Sequence, residues 1–131
     1  STGPINGADG SLNAWCTNLG DYGPNADISL RSPAIDLTGV ASAKLTFQAY
    51  RDADGFADTA TVRFLRASDL TPLGAAVLMD MTEFDSDWKT FQIEITPEAI
   101  GESILIEWNF LSDNSADAFS GLSIDNILVS D

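Results

Sequence analysis

The sequence predicts an all-β protein, an antiparallel β-sandwich of the jelly-roll type. Eight short runs show the period-two alternation of half-buried strands, and turn-rich segments separate them at regular spacing. Helical periodicity is hard to find anywhere in the chain. Eight strands in two sheets is the jelly-roll number, so we expect the first and last strands to lie close together.

The run 103–110 illustrates the alternation. Its apolar residues Ile104, Ile106 and Trp108 alternate with polar residues such as Glu107 and Asn109, as in a strand with one buried face. The run 74–81 is the weakest. The eight predicted strands are 12–17, 28–32, 43–50, 59–66, 74–81, 89–95, 103–110 and 121–129.

The length of 131 residues and a hydrophobic fraction of 44% suit one globular domain with one core, spanning 1–131. No apolar run approaches the roughly 20 residues that a membrane helix needs. The chain opens on polar, turn-forming residues, so we expect that any export signal was removed or lies upstream. We expect a monomeric module of a larger exported protein.

Charge narrows the possible partners. Six basic residues against 20 acidic ones give a formal charge of −14. Such a surface repels nucleic acid and anionic membranes, and it favours cations, basic partners or neutral ligands such as sugars. Solubility in a salty or calcium-rich medium is the simpler interpretation of the same charge.

The residue types present argue against catalysis. Histidine is absent, which removes Ser-His-Asp and Cys-His chemistry and the usual zinc sites. Cys16 is the single cysteine and lies in a predicted strand, where it suits a small buried side chain. Pairs such as Asp113 and Asp117 can in principle serve a glycosidase, but 20 acids produce such pairs by chance. We therefore expect no enzyme.

The last strand contains a carboxylate, Asp125, among apolar residues. Either the strand is packed on both faces, or a bulge at Asp125 and Asn126 resets the alternation. A buried carboxylate needs a partner. Backbone N–H groups or a basic side chain can supply it, and so can a calcium ion.

Several motifs together resemble a family of bacterial exported jelly-roll domains. These domains are attached to secreted metalloproteases of the immune-inhibitor-A type and to cell-surface proteins, and they are related to MAM and cleaved-adhesin domains. The matching stretches are Ala14-Trp-Cys-Thr-Asn-Leu19 with Tyr22, Leu30-Arg-Ser-Pro-Ala-Ile-Asp-Leu-Thr-Gly39, Ala43-Lys-Leu-Thr-Phe47, Asp58 with Val62, Trp88, and Gly121-Leu-Ser-Ile-Asp-Asn-Ile127.

The resemblance covers nearly the whole chain. It implies a galactose-binding-like or MAM-like jelly roll. It also implies a non-catalytic accessory or adhesion module that is secreted or displayed at the bacterial surface and stabilised by calcium.

Chain topology collects the acidic residues at one end. If each strand spans the sandwich, the loops after the first, third, fifth and seventh strands share an end, and both termini lie at the other. Half of the 20 acids fall in these four loops, together with five aromatic residues. The acids are Asp21, Asp27, Asp52, Asp54, Asp58, Glu83, Asp85, Asp87, Asp113 and Asp117; the aromatics are Tyr22, Phe56, Phe84, Trp88 and Phe119.

Two calcium sites are predicted as alternatives. Oxygen-rich loops suit calcium, which takes about 6–8 oxygen ligands. One site uses Asp52, Asp54 and Asp58 of the loop 51–58, and the other uses Asp125 with an oxygen near Asp9. The simpler interpretation of the first is a solvated hairpin turn with Gly55 at positive φ.

The acidic-aromatic end is also the predicted ligand surface. Exposed rings beside polar groups suit stacking on sugars, so a polysaccharide is the first expected partner. Rings that plug the end of the core are the simpler interpretation, and a cell-surface protein partner or a spacer role are the alternatives. The candidate ligand-binding residues are Tyr22, Phe56, Phe119, Asp113 and Asn114.

Overall fold

The computed structural model describes residues 3–131, which fold into two antiparallel sheets with the apolar core between them. A 3₁₀ turn at Ala8–Gly10 precedes the first strand. Within residues 3–131 the strands are β1 (Trp15–Cys16), β2 (Asp27–Arg31), β3 (Ile35–Asp36), β4 (Lys44–Asp52), β5 (Thr59–Arg66), β6 (Val77–Met79), β7 (Lys89–Glu94), β8 (Ser103–Leu111) and β9 (Gly121–Ser130).

The strand order is that of a jelly roll. The first sheet has the order β1-β9-β4-β7, and the second has the order β2-β8-β5-β6 with β3 also paired to β8. Counting β2 and β3 as halves of one interrupted strand leaves eight strands, as predicted. The all-β sandwich is confirmed, and so is the pairing of the first strand with the last.

The second strand ends before Pro33, as predicted, but the short strand β3 that follows was not predicted. Pro33 has no N–H to donate to the ladder, so the chain leaves β8 after Arg31 and returns at Ile35. Ser32 bridges the gap, because its hydroxyl oxygen accepts from the N–H of Ile106 at 2.9 Å.

Two strands are shorter than predicted. The first was predicted at 12–17, but only Trp15 and Cys16 pair, and Leu12 is 92% exposed. The preceding segment instead crosses to β9, where Ala8 and Ser11 bond to a side chain of that strand. The run 74–81 is a strand only at Val77–Met79.

The core follows the predicted alternation. Phe47 of β4 and Trp108 of β8 are fully buried and meet edge to face, with ring centroids 5.5 Å apart. Burying large side chains in this way stabilises by about 1.5–3 kcal/mol each. The other fully buried large apolar residues come from both sheets: Leu45, Val62, Phe64, Leu65, Ile104, Ile106, Phe110, Leu122 and Ile124.

A bulge resolves the odd parity of the last strand. Gln48 pairs with Asp125, but Thr46 two residues away pairs with Leu128, so β9 contains one extra residue here. Asn126 takes a φ of 50°, in the left-handed region. The bulge therefore lets residues on both sides of it face the core, and it leaves Ile127 43% exposed.

The loops between β1 and β2, β4 and β5, β6 and β7, and β8 and β9 meet at one end of the sandwich, as the topology predicted. We call this the loop end. The N-terminal segment lies there too, since the indole Nε1 of Trp88 donates to the backbone oxygen of Asn6. The prediction that both termini lie at the opposite end is therefore wrong for the N-terminal side, because residues 3–11 fold back over the first sheet.

Candidate metal and ligand site

Asp58 is the centre of the loop end. Its carboxylate is 2% exposed and accepts the hydroxyl of Tyr22 and, at 2.9 Å, the backbone N–H of Asp113. One side chain thus joins three loops that are far apart in sequence. Charge-assisted hydrogen bonds of this kind are the stronger ones in proteins, so Asp58 holds the loop end together.

Tyr22 belongs to the core and not to the surface. Its ring is 2% exposed and packs edge-on against Phe110 at 4.9 Å. Its hydroxyl donates to Asp58 and accepts the N–H of Asp54 at 3.1 Å. Burial and the neighbouring Asp58 carboxylate raise the pKa of Tyr22 well above its usual range, so it stays neutral. The prediction that Tyr22 offers its ring to a ligand is corrected by this burial.

Three carboxylates meet beside Tyr22. Asp58, Asp113 and Asp117 each contribute a carboxylate oxygen, and these oxygens lie within 4.8 Å of one another. Asp58 is buried, and the other two are half-buried. We call these three residues the aspartate cluster. Such a group can hold a metal ion.

Asp117 is the member whose electrostatics point to a missing partner. Its Oδ2 is buried and has no hydrogen-bond partner among the described residues. Burial, followed by the charges of Asp58, Asp54 and Asp113, raises its pKa above the ordinary value. A cation would supply the partner and offset the repulsion between carboxylates. The cluster therefore fits a hard cation with oxygen ligands.

The three predicted calcium ligands of the loop 51–58, Asp52, Asp54 and Asp58, have separate roles in the structure. Asp52 is 2% exposed, and its Oδ2 accepts both the N–H and the hydroxyl of Ser120 at 2.9 and 2.8 Å. Asp54 accepts the N–H of Phe56 at 3.3 Å. Of the predicted trio, only Asp58 lies in the aspartate cluster, where its neighbours are Asp113 and Asp117.

Gly55 has a different role from the one expected. Its φ is not among the positive values. A Cβ at this position would lie 1.9 Å from the backbone oxygen of Met81, so Gly55 is required because two loops approach closely there. This contact keeps the loop 51–58 against the β6–β7 connection.

The alternative site at Asp125 is occupied by hydrogen bonds. Its Oδ2 accepts the N–H of Ala8 at 2.9 Å and the hydroxyl of Ser11 at 2.8 Å, and its Oδ1 accepts the N–H of Asn126. Asp9 accepts from the side-chain amide of Asn126 at 2.9 Å. Donors from the chain itself thus satisfy Asp125, and calcium between Asp9 and Asp125 stays a prediction.

The exposed rings at the loop end come from three loops. Phe56 is 92% exposed and Phe84 is 59% exposed. Phe84 contacts the half-buried Phe119 with ring centroids 5.2 Å apart. Asn114 is exposed beside Asp113. Phe56, Phe119, Asp113 and Asn114 therefore remain available to a ligand.

Sequence reasoning placed neither Asp113 nor Asp117 in a candidate metal site, although both lie in the aspartate cluster. It treated Asp113 and Asp117 as a pair that arises by chance, and it grouped Asp58 with its neighbours in sequence. The sequence did contain one indication of the cluster, since strand topology placed the 111–120 loop at the same end of the sandwich as Asp58. Three-dimensional placement, not spacing along the chain, makes the cluster.

None of the helical segments within residues 3–131 has the length and apolar character that crossing a membrane requires.

No protein-family model and no curated protein matches the chain. The enzymatically active domain of tailspike protein 4 from bacteriophage CBA120 is similar over 79% of this chain, with 15% identity and a TM-score of 0.50. This chain spans 13% of that structure. At such identity the likeness shows the fold alone.

Two smaller structures are also similar. The K1 cleaved adhesin domain of Lys-gingipain from Porphyromonas gingivalis W83 shows 19% identity and a TM-score of 0.48, over 81% of this chain and 64% of that one. The C-terminal domain of EclA, described as a sugar-binding protein, shows 17% identity and a TM-score of 0.47, over 99% of this chain and 89% of that one.

Proposed function

We propose that this chain is a non-catalytic, calcium-stabilised binding module of a secreted or cell-surface bacterial protein, and that its ligand is a carbohydrate. The observation that carries the proposal is the loop end, where the aspartate cluster lies among loops that also present exposed rings. Carboxylates, amides and rings suit sugar hydroxyls and the apolar faces of sugar rings.

Calcium is the cation that suits the cluster best. It accepts six to eight oxygen ligands in flexible geometry, so three carboxylates from two loops can be completed by backbone oxygens or by hydroxyls of a ligand. Zinc prefers histidine and cysteine, and the chain has no histidine. Asp58, Asp113 and Asp117 would hold the ion, which would fix the 111–120 loop against the 51–58 loop.

The expected role of the rings is contact and not chemistry. Phe56 and Phe84 present apolar faces, and the half-buried Phe119 contacts Phe84. Because single sugar sites of this kind bind weakly, firm attachment to a polysaccharide would depend on repeated modules.

A polysaccharide pull-down and a glycan array, each with calcium and with EDTA, test the proposal. We expect binding in calcium and its loss in EDTA. Phe56→Ala and Phe119→Ala should each weaken binding roughly fivefold, the size of one aromatic contact. Leu78→Ala is the matched control, because Leu78 is 69% exposed on β6 of the second sheet. Binding unaffected by both phenylalanine variants would move the site away from the loop end.

Failure to bind any glycan would contradict the carbohydrate assignment. The exposed Leu19, at 103%, and Phe56, at 92%, would then favour a protein partner for the same end.

A further inference from the structure

The outer face of the second sheet carries a polar groove of about 410 Å³, a volume within the roughly 300–1,000 Å³ typical of small-molecule sites. The groove lies across three neighbouring strands, β2, β8 and β5. Polar side chains make most of its lining, and no aromatic ring contributes to it. The residues that matter for the argument are Asp27, Arg31, Thr61, Arg63, Glu107 and Asn109.

Strand register arranges these polar residues in rows. Arg31 of β2 and Arg63 of β5 both pair with Glu107 of β8. Two residues further along β8, Asn109 pairs with Thr61. Residues directly opposite each other on paired strands point to the same face of the sheet, so each row faces the groove. Because the rows lie on paired strands and not on loops, the backbone holds these groups at fixed spacing.

The two arginines use only part of their hydrogen-bonding capacity within the protein. Each donates its Nε–H to a different oxygen of Glu107 at 2.6 Å. Among the described residues, the Nη groups of Arg31 and Arg63 have no hydrogen-bond partner. The two side chains are 46% and 38% exposed. The Nη ends of both guanidinium groups are therefore free to bind a ligand.

The charges of the groove are separated along the strands. Glu107 and its two arginines together carry one net positive charge, because one carboxylate faces two guanidinium groups. Asp27, the other acid of the groove, lies four residues from Arg31 on β2, or about 13 Å at about 3.3 Å per residue. The overall charge of −14 opposes an anion, but charges beyond about 10 Å are largely screened at 0.1 M salt. The row of Glu107 therefore favours an anionic group.

We propose that this groove binds an acidic sugar, whose carboxylate accepts from the Nη groups of Arg31 and Arg63. The planar guanidinium group presents parallel N–H donors that match the two oxygens of a carboxylate. Next to this row, Asn109 donates through Nδ2 to Asp27 at 2.8 Å, while its Oδ1 accepts no hydrogen bond from the described residues. That oxygen and the hydroxyl of Thr61 suit the hydroxyls of a sugar.

The inference rests on the proposed function in one respect, namely that the ligand is a carbohydrate. The groove is separate from the aspartate cluster, and none of its residues belongs to that cluster. Binding in the groove should therefore need no calcium, whereas binding at the loop end should be lost in EDTA. This difference lets one experiment separate the two sites.

Trigalacturonate and its methyl ester are the probes, because they share the same sugar chain and differ in the charge of the carboxylate. Each is titrated in EDTA into ¹⁵N-labelled protein while the arginine Nε–H resonances are followed by NMR. We expect trigalacturonate to shift the resonances of Arg31 and Arg63 saturably and to leave those of Arg51 and Arg66 in place. The neutral ester should bind about tenfold more weakly, since it loses a charge-assisted hydrogen bond.

Lysine variants test the guanidinium groups. Arg31→Lys and Arg63→Lys each keep a positive charge beside Glu107 but lose the parallel donors, so each should weaken trigalacturonate binding about fivefold. Arg66→Lys is the matched control, because Arg66 is also on β5 but does not line the groove, and it should leave the affinity unchanged. The comparison of the two probes on the wild-type protein keeps the test valid if a lysine variant does not fold.

Three results would overturn the proposal. The first is equal affinity of the wild-type protein for the acid and its ester. The second is saturable binding that leaves the resonances of Arg31 and Arg63 in place. The third is the absence of trigalacturonate binding in EDTA, which would remove the groove site alone, because neutral glycans in calcium test the loop end.

Discussion

Glu107 and the aspartate cluster are two answers to the same problem, a carboxylate removed from water. Glu107 is 2% exposed on β8, and each of its oxygens accepts from an arginine Nε at 2.6 Å, from Arg31 and Arg63. Burial raises the pKa of Glu107, but the two arginines outweigh that effect and hold it below its ordinary value. The chain itself supplies the countercharge.

The aspartate cluster has the opposite balance. Among the described residues, the donors to its carboxylates are the hydroxyl of Tyr22 and the backbone N–H groups of Asp113 and Ser115. All three of these donor groups are neutral. The pKa of Asp117 is raised, whereas that of Glu107 is lowered. The difference teaches that the ionised form of a buried carboxylate stabilises the fold when basic side chains of the same chain pair with it. Without such partners, the ionised carboxylate lowers the stability of the fold, and a bound cation would remove that loss.

The largest effect should follow from breaking the satisfied site. Glu107→Gln leaves two arginines without their countercharge, although both side chains are more than one-third exposed and partly screened. We expect the free energy of unfolding to fall by about 2 kcal/mol in urea titrations. Glu102→Gln is the control, because its contact with Arg66 is 3.8 Å long and exposed, and it should cost less than about 0.5 kcal/mol.

Acid should remove the same contribution from the wild-type protein. Because the folded pKa of Glu107 lies below the ordinary value, its stabilisation is present above the unfolded pKa and is lost as the pH falls through the folded one. Urea midpoints measured from neutral to acidic pH should therefore converge for wild type and Glu107→Gln. A constant gap down to the lowest pH would show that Glu107 acts through packing and not through its charge.

At the aspartate cluster we expect a substitution to raise stability, by less than Glu107→Gln lowers it. Without metal, Asp117→Asn removes one of several repelling carboxylates, so the melting temperature in EDTA should rise. Because the folded pKa of Asp117 is raised, its ionisation lowers stability progressively as the pH rises from the unfolded pKa to the folded one, and fully above the folded one. The gain in Asp117→Asn should therefore vanish in acid. Asp87→Asn, an exposed acid of the same end, should leave the melting temperature unchanged. A melting temperature that falls in Asp117→Asn would contradict this electrostatic account.

The fold was more predictable than the site for a physical reason. Strand alternation is local, and residues such as Phe47 and Trp108 show which face is buried without reference to the rest of the chain. The meeting of four loops at one end also followed from the sequence, because successive strands that each span the sandwich place alternate loops at the same end. The return of the chain to β8 at Ile35 and the folding of residues 3–11 onto β9 depend on contacts between distant residues, so no local pattern showed them.

The aspartate cluster shows the same limit. Asp52, Asp54 and Asp58 are neighbours in sequence, yet hydrogen bonds to Ser120 and Phe56 engage the first two. The burial of Tyr22 matches the simpler interpretation, a ring that plugs the end of the core. The sequence could not decide between the two, because a tyrosine in a polar loop has the same local pattern whether it faces solvent or Asp58. Which acids share a site depends on how the loops pack.

Calcium titration with thermal unfolding tests the central claim most directly. Wild-type protein, Asp117→Asn and Asp125→Asn are melted in EDTA and in increasing calcium. We expect the wild type to gain about 1.4 kcal/mol at a calcium concentration ten times Kd, Asp125→Asn to gain as much, and Asp117→Asn to gain far less. A wild-type melting temperature that ignores calcium, or a gain lost in Asp125→Asn and kept in Asp117→Asn, would contradict a calcium site at Asp58, Asp113 and Asp117.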